Sequence, residues 1–149
     1  MHRAGRLLEK RARSEFEIRE RLTGAGLDRP TVDRAIERLS EIRLIDDHAF
    51  ALQWITERSV RKGLAPAALL AELEAKGVAR DTAEAALSEV AMDEEAHARA
   101  VAVRLSRKVS GRPAATQANR LRDMLARRGF SPEAAIAGVR AVLPPDGWD

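Results

Sequence analysis

The chain has 149 residues, about the length of one compact domain, with 26 Lys+Arg against 23 Asp+Glu, a formal net charge of +3 and no cysteine. The missing cysteines exclude a disulfide framework, thiol chemistry and Cys-ligated zinc, and a 45% hydrophobic content is too rich for a disordered chain. No apolar run approaches the roughly 18 residues of a membrane span, and Met1–Lys10 lacks an apolar signal core, so a cytoplasmic location is expected.

Ala, Leu, Arg and Glu dominate, and all favour helix, so the expected fold class is all-α. Along the chain, Leu7 and Leu8 mark a short first helix. Ile18 and Leu22 lead to Gly26 and Leu27, and a helix bearing Ile36 and Leu39 follows the start signals Asp28 and Pro30. Asp46 or Asp47 can cap a helix containing Phe50, Ala51, Trp54 and Ile55, which runs into the loop Lys62-Gly63-Leu64-Ala65-Pro66. Leu69 and Leu73 then precede Gly77 and Val78, and Asp81 opens a helix with Leu87 and Val90. Asp93 caps a helix with Ala96, Ala100, Val101, Val103 and Leu105, ending in Val109-Ser110-Gly111-Arg112-Pro113. Finally Leu121 and Leu125 precede Gly129 and Phe130, and Ser131-Pro132-Glu133 starts a helix with Val139 and Val142.

These elements repeat. Gly26, Gly77 and Gly129 lie 51 and 52 residues apart. Apolar residues recur at eight and four positions before each glycine, and at one, ten and thirteen after it. A small residue (Ala35, Ala86, Gly138) stands nine after. A fixed period with matched offsets is a repeat signature. The steps of four keep one helix face apolar. The glycine supplies the left-handed residue that ends the helix, and the apolar residue after it can fold back on the last turn. The expectation is three tandem three-helix, helix-turn-helix-like repeats, with about nine helices in an elongated, curved arrangement. The repeats occupy residues 1–47, 48–92 and 93–143, and residues 144–149 form a flexible tail in which Trp148 is a loose anchor.

Nothing in the chain resembles catalytic chemistry. His2, His48 and His97 do not pair at metal-binding spacing. Gly24-Ala25-Gly26 reads as a helix end rather than a dinucleotide loop. Asp46-Asp47 and Asp93-Glu94-Glu95 stand at helix starts, where acids complement the macrodipole. No catalytic, metal-binding or cofactor-binding residue is expected, and no enzyme.

Charge is unevenly spread. Residues 1–47 carry 11 basic and 10 acidic side chains, residues 48–95 carry 5 and 9, and residues 96–149 carry 10 and 4. The ends of the first helix of each repeat are basic: Arg11 and Arg13, then Arg58, Arg61 and Lys62, then Arg104, Arg107, Lys108 and Arg112. Cations complement a helix C-terminus. The same residues, lined up along one side, could pair with partner carboxylates or phosphates. Arg120, Arg122, Arg127 and Arg128 thicken the basic character, and the spacing of Arg120, Arg127 and Arg128 could bring them together on one helix surface. With five Phe and Trp in all, a base-stacking platform is not expected, so any DNA contact should be ionic, weak and salt-sensitive.

The segment Leu39-Ser-Glu-Ile-Arg-Leu-Ile-Asp46-Asp47-His-Ala-Phe50-Ala51 is similar to an L-x-x-x-G-hydrophobic-hydrophobic-D-D-x-x-F-A stretch of the RecX family, bacterial regulators of the RecA recombinase. Arg58 with Arg61-Lys62-Gly63, Leu69 with Glu72-Leu73 and Lys76-Gly77-Val78, and Arg127-Arg128-Gly129-Phe130 also resemble that family in order, over roughly residues 5–143. Arg13-Ser14 with Glu17-Ile18 and Leu22 resembles its first repeat. Arg43 stands where the family usually has glycine, so that helix must end differently or accept strain. Ala67 and Ala68 replace positions often basic in the family, and Leu64 replaces a frequent aromatic.

The resemblance implies a non-enzymatic regulator acting in DNA repair, homologous recombination and the SOS response. It would bind the RecA–single-stranded DNA filament and mainly inhibit its ATPase, strand-exchange and coprotease activities. The residues proposed to meet RecA or phosphate are Arg58, Arg61, Lys62, Arg104, Arg107, Lys108, Arg112, Arg120, Arg127 and Arg128. A monomer without membrane or cofactor partners is expected. Single- or double-stranded DNA would be a further partner of such a regulator, bound weakly and salt-sensitively; the alternative is a direct DNA-binding helix-turn-helix regulator. Against it, the helices after Gly77 and Gly129 offer Thr82-Ala-Glu-Ala-Ala-Leu and Glu133-Ala-Ala-Ile, which lack the Arg, Asn or Gln that read base edges.

Overall fold

Most helices of this chain begin where a short polar side chain can take a backbone N–H that has no partner inside the helix. The structure, a computed structural model, describes residues 13–145. The expected helix at Leu7 and Leu8, together with His2, Arg11 and Trp148, lies outside the described residues. Those residues form eight α-helices and one short 3-10 turn, with no strand among them. In α1 (Glu15–Gly24) Ser14 Oγ accepts from Glu17 N at 3.2 Å. Asp28 caps α2 (Arg29–Glu41) through Thr31 N at 3.0 Å. For α3 (Asp47–Arg61) the cap is Asp46, which accepts from Ala49 N at 3.1 Å. Next come α4 (Pro66–Ala75) and α5 (Arg80–Val90), the latter with Asp81 in its first turn. Asp93 caps α6 (Glu94–Ser106) through Ala96 N at 3.1 Å. The 3-10 turn Arg107–Val109 and α7 (Ala114–Arg127) follow, and Ser131 caps α8 (Pro132–Val142) through Ala134 N at 3.2 Å.

The three glycine elbows have one geometry. Gly26, Gly77 and Gly129 have φ of 93°, 80° and 91°. The next residue's N–H donates five residues back in each: Leu27 to Leu22 O at 3.3 Å, Val78 to Leu73 O at 3.0 Å, Phe130 to Leu125 O at 3.2 Å. This bond ties off a helix carbonyl that would otherwise lack a partner, and it requires the left-handed residue between. Val78 and Phe130 fold inward at 3% and 5% exposure, as the pattern predicts, whereas Leu27 stays 38% exposed. The first elbow is therefore closed by its backbone bonds without that side chain.

Arg43 takes the other course foreseen for it. Its φ is +59°, and Leu44 N donates to Leu39 O at 2.8 Å. The glycine-type helix end is kept, with an arginine bearing the left-handed strain. Ala91, after α5, has the same conformation at φ +53°.

The chain divides into two compact units: Met1–Glu57 with Leu70–Val90, and Arg58–Leu69 with Ala91–Asp149. In the first, α1 packs on α2 around Ile18, Leu22, Val32, Ile36, Leu39 and Ile45. In the second, α6 packs against α7 and α8 around Val101, Leu105, Val109, Leu121, Leu125 and Val139. Each such Leu, Ile or Val contributes about 1.5–3 kcal/mol on burial. Gly138 is small because a Cβ there would lie 3.0 Å from both Ala98 O and Leu125 Cδ1, where α8 meets α6.

Candidate partner-binding surface

The compact units sharpen the charge distribution. The first holds 13 basic against 16 acidic side chains, net −3, and the second 13 against 7, net +6. The ten cations proposed as contact residues all fall in the second, whereas Arg13, at the matching helix end of the first repeat, falls in the first. Two stretches of that unit, residues 58–69 and 96–122, contain no Asp or Glu.

Four contacts lay the basic end of α3 and its loop along α6 and the end of α7. Arg104 Nη1 donates to Val60 O at 3.0 Å. His97 Nε2 lies 3.0 Å from Leu64 O, which assigns the ring proton to Nε2. Ala65 N donates to Arg128 O at 2.9 Å. Gly63, at φ +62°, is buried so closely on Val101 that a Cβ would lie 3.1 Å from Val101 Cγ2. Arg61 and Lys62 are exposed and Arg58 is half-buried; Arg104, Arg107, Lys108 and Arg112 are exposed. Val109, 2% exposed, anchors the turn that carries Arg107 and Lys108. The Arg112 carbonyl accepts from Gln117 Nε2 at 2.7 Å, which holds the loop to the first turn of α7.

The cations at the end of α7 separate. Lys108, Arg120 and Arg127 line one surface cleft of about 160 Å³ with Val109, Met124 and Asp123. Arg128 is not among them: its Nη1 donates to Met124 O at 3.3 Å, and its Nε lies 3.8 Å from the Cβ position of Gly63. Arg104 on Val60 O and Arg128 on Met124 O each satisfy a helix-end carbonyl, the structural use of a C-terminal cation. Sequence reasoning did not single out Asp123, the acid in the cleft. Its signal was the spacing of three from Arg120 and four to Arg127. Nor did it weigh Val60, 66% exposed, and it grouped Val103 with Val101 and Leu105, although Val103 is 55% exposed while those two are buried.

In the first unit the polar residues hold helix ends together. Asp47 does not cap its own helix; its Oδ1 accepts from Glu15 N at 2.9 Å, across to α1. Burial pushes its carboxyl above the ordinary value, the Glu15 N–H opposes this, and the charges of Glu15 and Asp46 add to the rise. Ser14 Oγ donates to Lys76 O at 3.0 Å. Lys76 Nζ pairs with Glu17 at 3.2 Å and lies 5.2 Å from the Trp54 ring centroid. Trp54 stacks on Phe50 at 5.8 Å and donates from Nε1 to Glu72 at 3.0 Å. His48 pairs with Glu89 at 2.6 Å. Among the described residues no group of His, Asp or Glu is arranged to hold a metal ion, and no helix is long and apolar enough to cross a membrane.

Residues 1–39 match the family model described as RecX, first three-helix domain, and residues 46–87 match RecX, second three-helix domain. A "Regulatory protein RecX" of Thermobifida fusca (strain YX) is 34% identical over 143 residues, spanning 95% of this chain and 77% of the relative. Another, of Mycobacterium sp. (strain JLS), is 38% identical over 143 residues, spanning 93% and 78%. The crystal structure of RecX from Lactobacillus salivarius superposes with a TM-score of 0.82 at 20% identity, over 93% of this chain and 91% of that one. That likeness is one of fold.

Proposed function

From the premise that this chain belongs to the RecX family of regulatory proteins, we propose that it binds the RecA–single-stranded DNA filament. It modulates the filament without chemistry of its own, mainly inhibiting its ATPase, strand-exchange and coprotease activities. The observation that supports this reading is that the ten proposed contact cations all belong to one unit, of net +6, while the other unit is net −3. A uniform nucleic-acid binder has no need of an acidic half. A filament of protein wound on DNA presents carboxylates and phosphates together, and several weak contacts along it multiply. Arg58, Arg61, Lys62, Arg104, Arg107, Lys108, Arg112, Arg120, Arg127 and Arg128 are the contact residues of this reading. Its units of sequence repetition are residues 1–47, 48–92 and 93–143, and it acts as a cytoplasmic monomer.

The test is RecA-driven ATP hydrolysis on single-stranded DNA with sub-stoichiometric protein. Hydrolysis is expected to fall, and no effect refutes the proposal. Charge reversal at Arg61 and Lys62 together should weaken the suppression. Unchanged inhibition by the folded double variant removes those two from the contact set. Tight duplex binding without RecA would instead make the chain a direct DNA-binding regulator. The α5 helix speaks against that outcome, because its Arg80 is held by Glu74 and Glu84 at 2.8 Å each.

A further inference from the structure

The basic unit carries two large apolar side chains where a purely ionic surface has no use for them. Val60 stands on the last turn of α3, 66% exposed, and Val103 on α6, 55% exposed. They are joined through one hydrogen bond: Arg104, the residue after Val103, donates to the Val60 carbonyl at 3.0 Å. Both lie inside the acid-free stretches 58–69 and 96–122; the exposed charges within four residues of them are Arg61, Lys62, Arg99, Arg104 and Arg107, with a single acid, Glu57, one turn before Val60. The surface is thus two valines set among cations.

We propose that the Val60–Val103 surface docks an acidic protein segment that presents apolar side chains at helical spacing, rather than nucleic acid. This deepens the reading of the same surface under Proposed function and rests on it. Charge complementarity sets the sign of the partner, since Arg61, Lys62, Arg104 and Arg107 outnumber the one exposed carboxylate a helical turn from Val60, Glu57, and a net cationic field selects an anion. The valines set its kind. A phosphodiester chain offers no aliphatic side chain to cover them, and bases are held by stacking on exposed rings. Phe130, the one Phe, Tyr or Trp described in the unit, is 5% exposed, and the His97 ring packs against it and is partly buried. An amphipathic acidic helix places glutamates against the arginines and a leucine over each valine.

The full chain is titrated by fluorescence anisotropy with three labelled probes. One is a glutamate-rich peptide of about 15 residues with leucines every third and fourth position, roughly four helical turns. The others are an all-glutamate peptide and an oligo-dT strand of matching length. The leucine-bearing peptide is expected to bind about tenfold or more tightly than the all-glutamate one. V60Q/V103Q, which keeps good helix formers at exposed sites, should erase that gain and leave oligo-dT binding unchanged. Equal affinity for the two peptides, or a variant that keeps the gain, overturns the proposal. Oligo-dT bound more tightly than either peptide assigns the surface to nucleic acid and overturns it too. In the RecA ATPase assay, wild-type inhibition matched by V60Q/V103Q refutes this inference alone, whereas no wild-type inhibition refutes the reading beneath it.

Discussion

Adding one methyl group at each of the three glycine elbows separates backbone strain from packing. Gly26, Gly77 and Gly129 share a left-handed φ between 80° and 93°. Alanine therefore meets the same strain of roughly 1–2 kcal/mol at each, offset by about 0.4–1 kcal/mol from the stiffer unfolded chain. Their surroundings differ. A Cβ on Gly26 meets nothing within 4 Å, so Gly26→Ala should cost only about 0.5–1 kcal/mol. On Gly129 it would lie 2.8 Å from both the Cβ and the backbone N of Ala68. On Gly77 it would run into Phe16 Cβ and Cγ, closer still than the contacts at Gly129. Carbon atoms rest at about 3.5–4 Å, and none of these neighbours is the free end of a flexible chain. An element must retreat, and roughly 3 kcal/mol or more is expected. Urea denaturation of the three single variants reads the order Gly77→Ala, Gly129→Ala, Gly26→Ala, from most to least destabilised. A Gly26→Ala loss equal to that of Gly77→Ala refutes the reasoning, as does a Gly129→Ala loss no larger than Gly26→Ala.

The converse substitutions should help: Arg43→Gly and Ala91→Gly each relieve a positive φ and should gain about 0.5–1 kcal/mol, or about 1–4 °C in Tm. A drop in melting temperature for both would contradict the strain assigned to them. Asp47 governs a pH dependence. Because burial raises its carboxyl in the fold above 3.8, the folded state holds that proton more tightly, and stability from this group falls as pH rises from 3.8 through the raised value. Asp47→Asn keeps an acceptor for Glu15 N, so it should be no less stable at neutral pH and should show a flatter stability profile as pH rises above 3.8. An unchanged profile would place the charge cost elsewhere. Ser14→Ala removes both the Glu17 cap and the bond to Lys76 O, and chemical denaturation should show a loss of about 2 kcal/mol; a loss below about 0.5 kcal/mol would mean those bonds are replaced by water.

Local features were readable from the chain because their causes are local. Ile18, Leu69 and Leu121 are each fully buried, as the step of eight before each glycine requires. Asp28, Asp93 and Ser131 cap the helices they precede. Where the outcome depends on distant chain, the pattern was silent. Asp46 and Asp47 are adjacent acids at a helix start, yet one caps α3 and the other reaches Glu15, thirty-two positions back. Arg127 and Arg128 are neighbours of one type, yet only Arg127 lines the cleft with Lys108 and Arg120. The loop after α3, through Leu64 and Ala65, is what Arg128 and His97 meet, and no periodicity in α7 encodes that encounter. Arg43 was visible as a departure from the expected glycine, but whether the turn would re-form or bear the strain was decided by Leu44 N finding Leu39 O.

The division into compact units has a consequence for cutting the chain. Its borders fall at 57/58, 69/70 and 90/91, so the polypeptide leaves the first unit within α3, returns within α4, and leaves again after α5. No single cleavage point therefore yields two fragments that each hold one entire unit. The shortest piece with all of the first unit is 1–90 and the shortest with all of the second is 58–149. Any split-protein pair in which both halves are whole must carry residues 58–90 twice, whereas truncation from the C-terminus as far as residue 91 removes only second-unit residues and truncation from the N-terminus as far as residue 57 only first-unit ones.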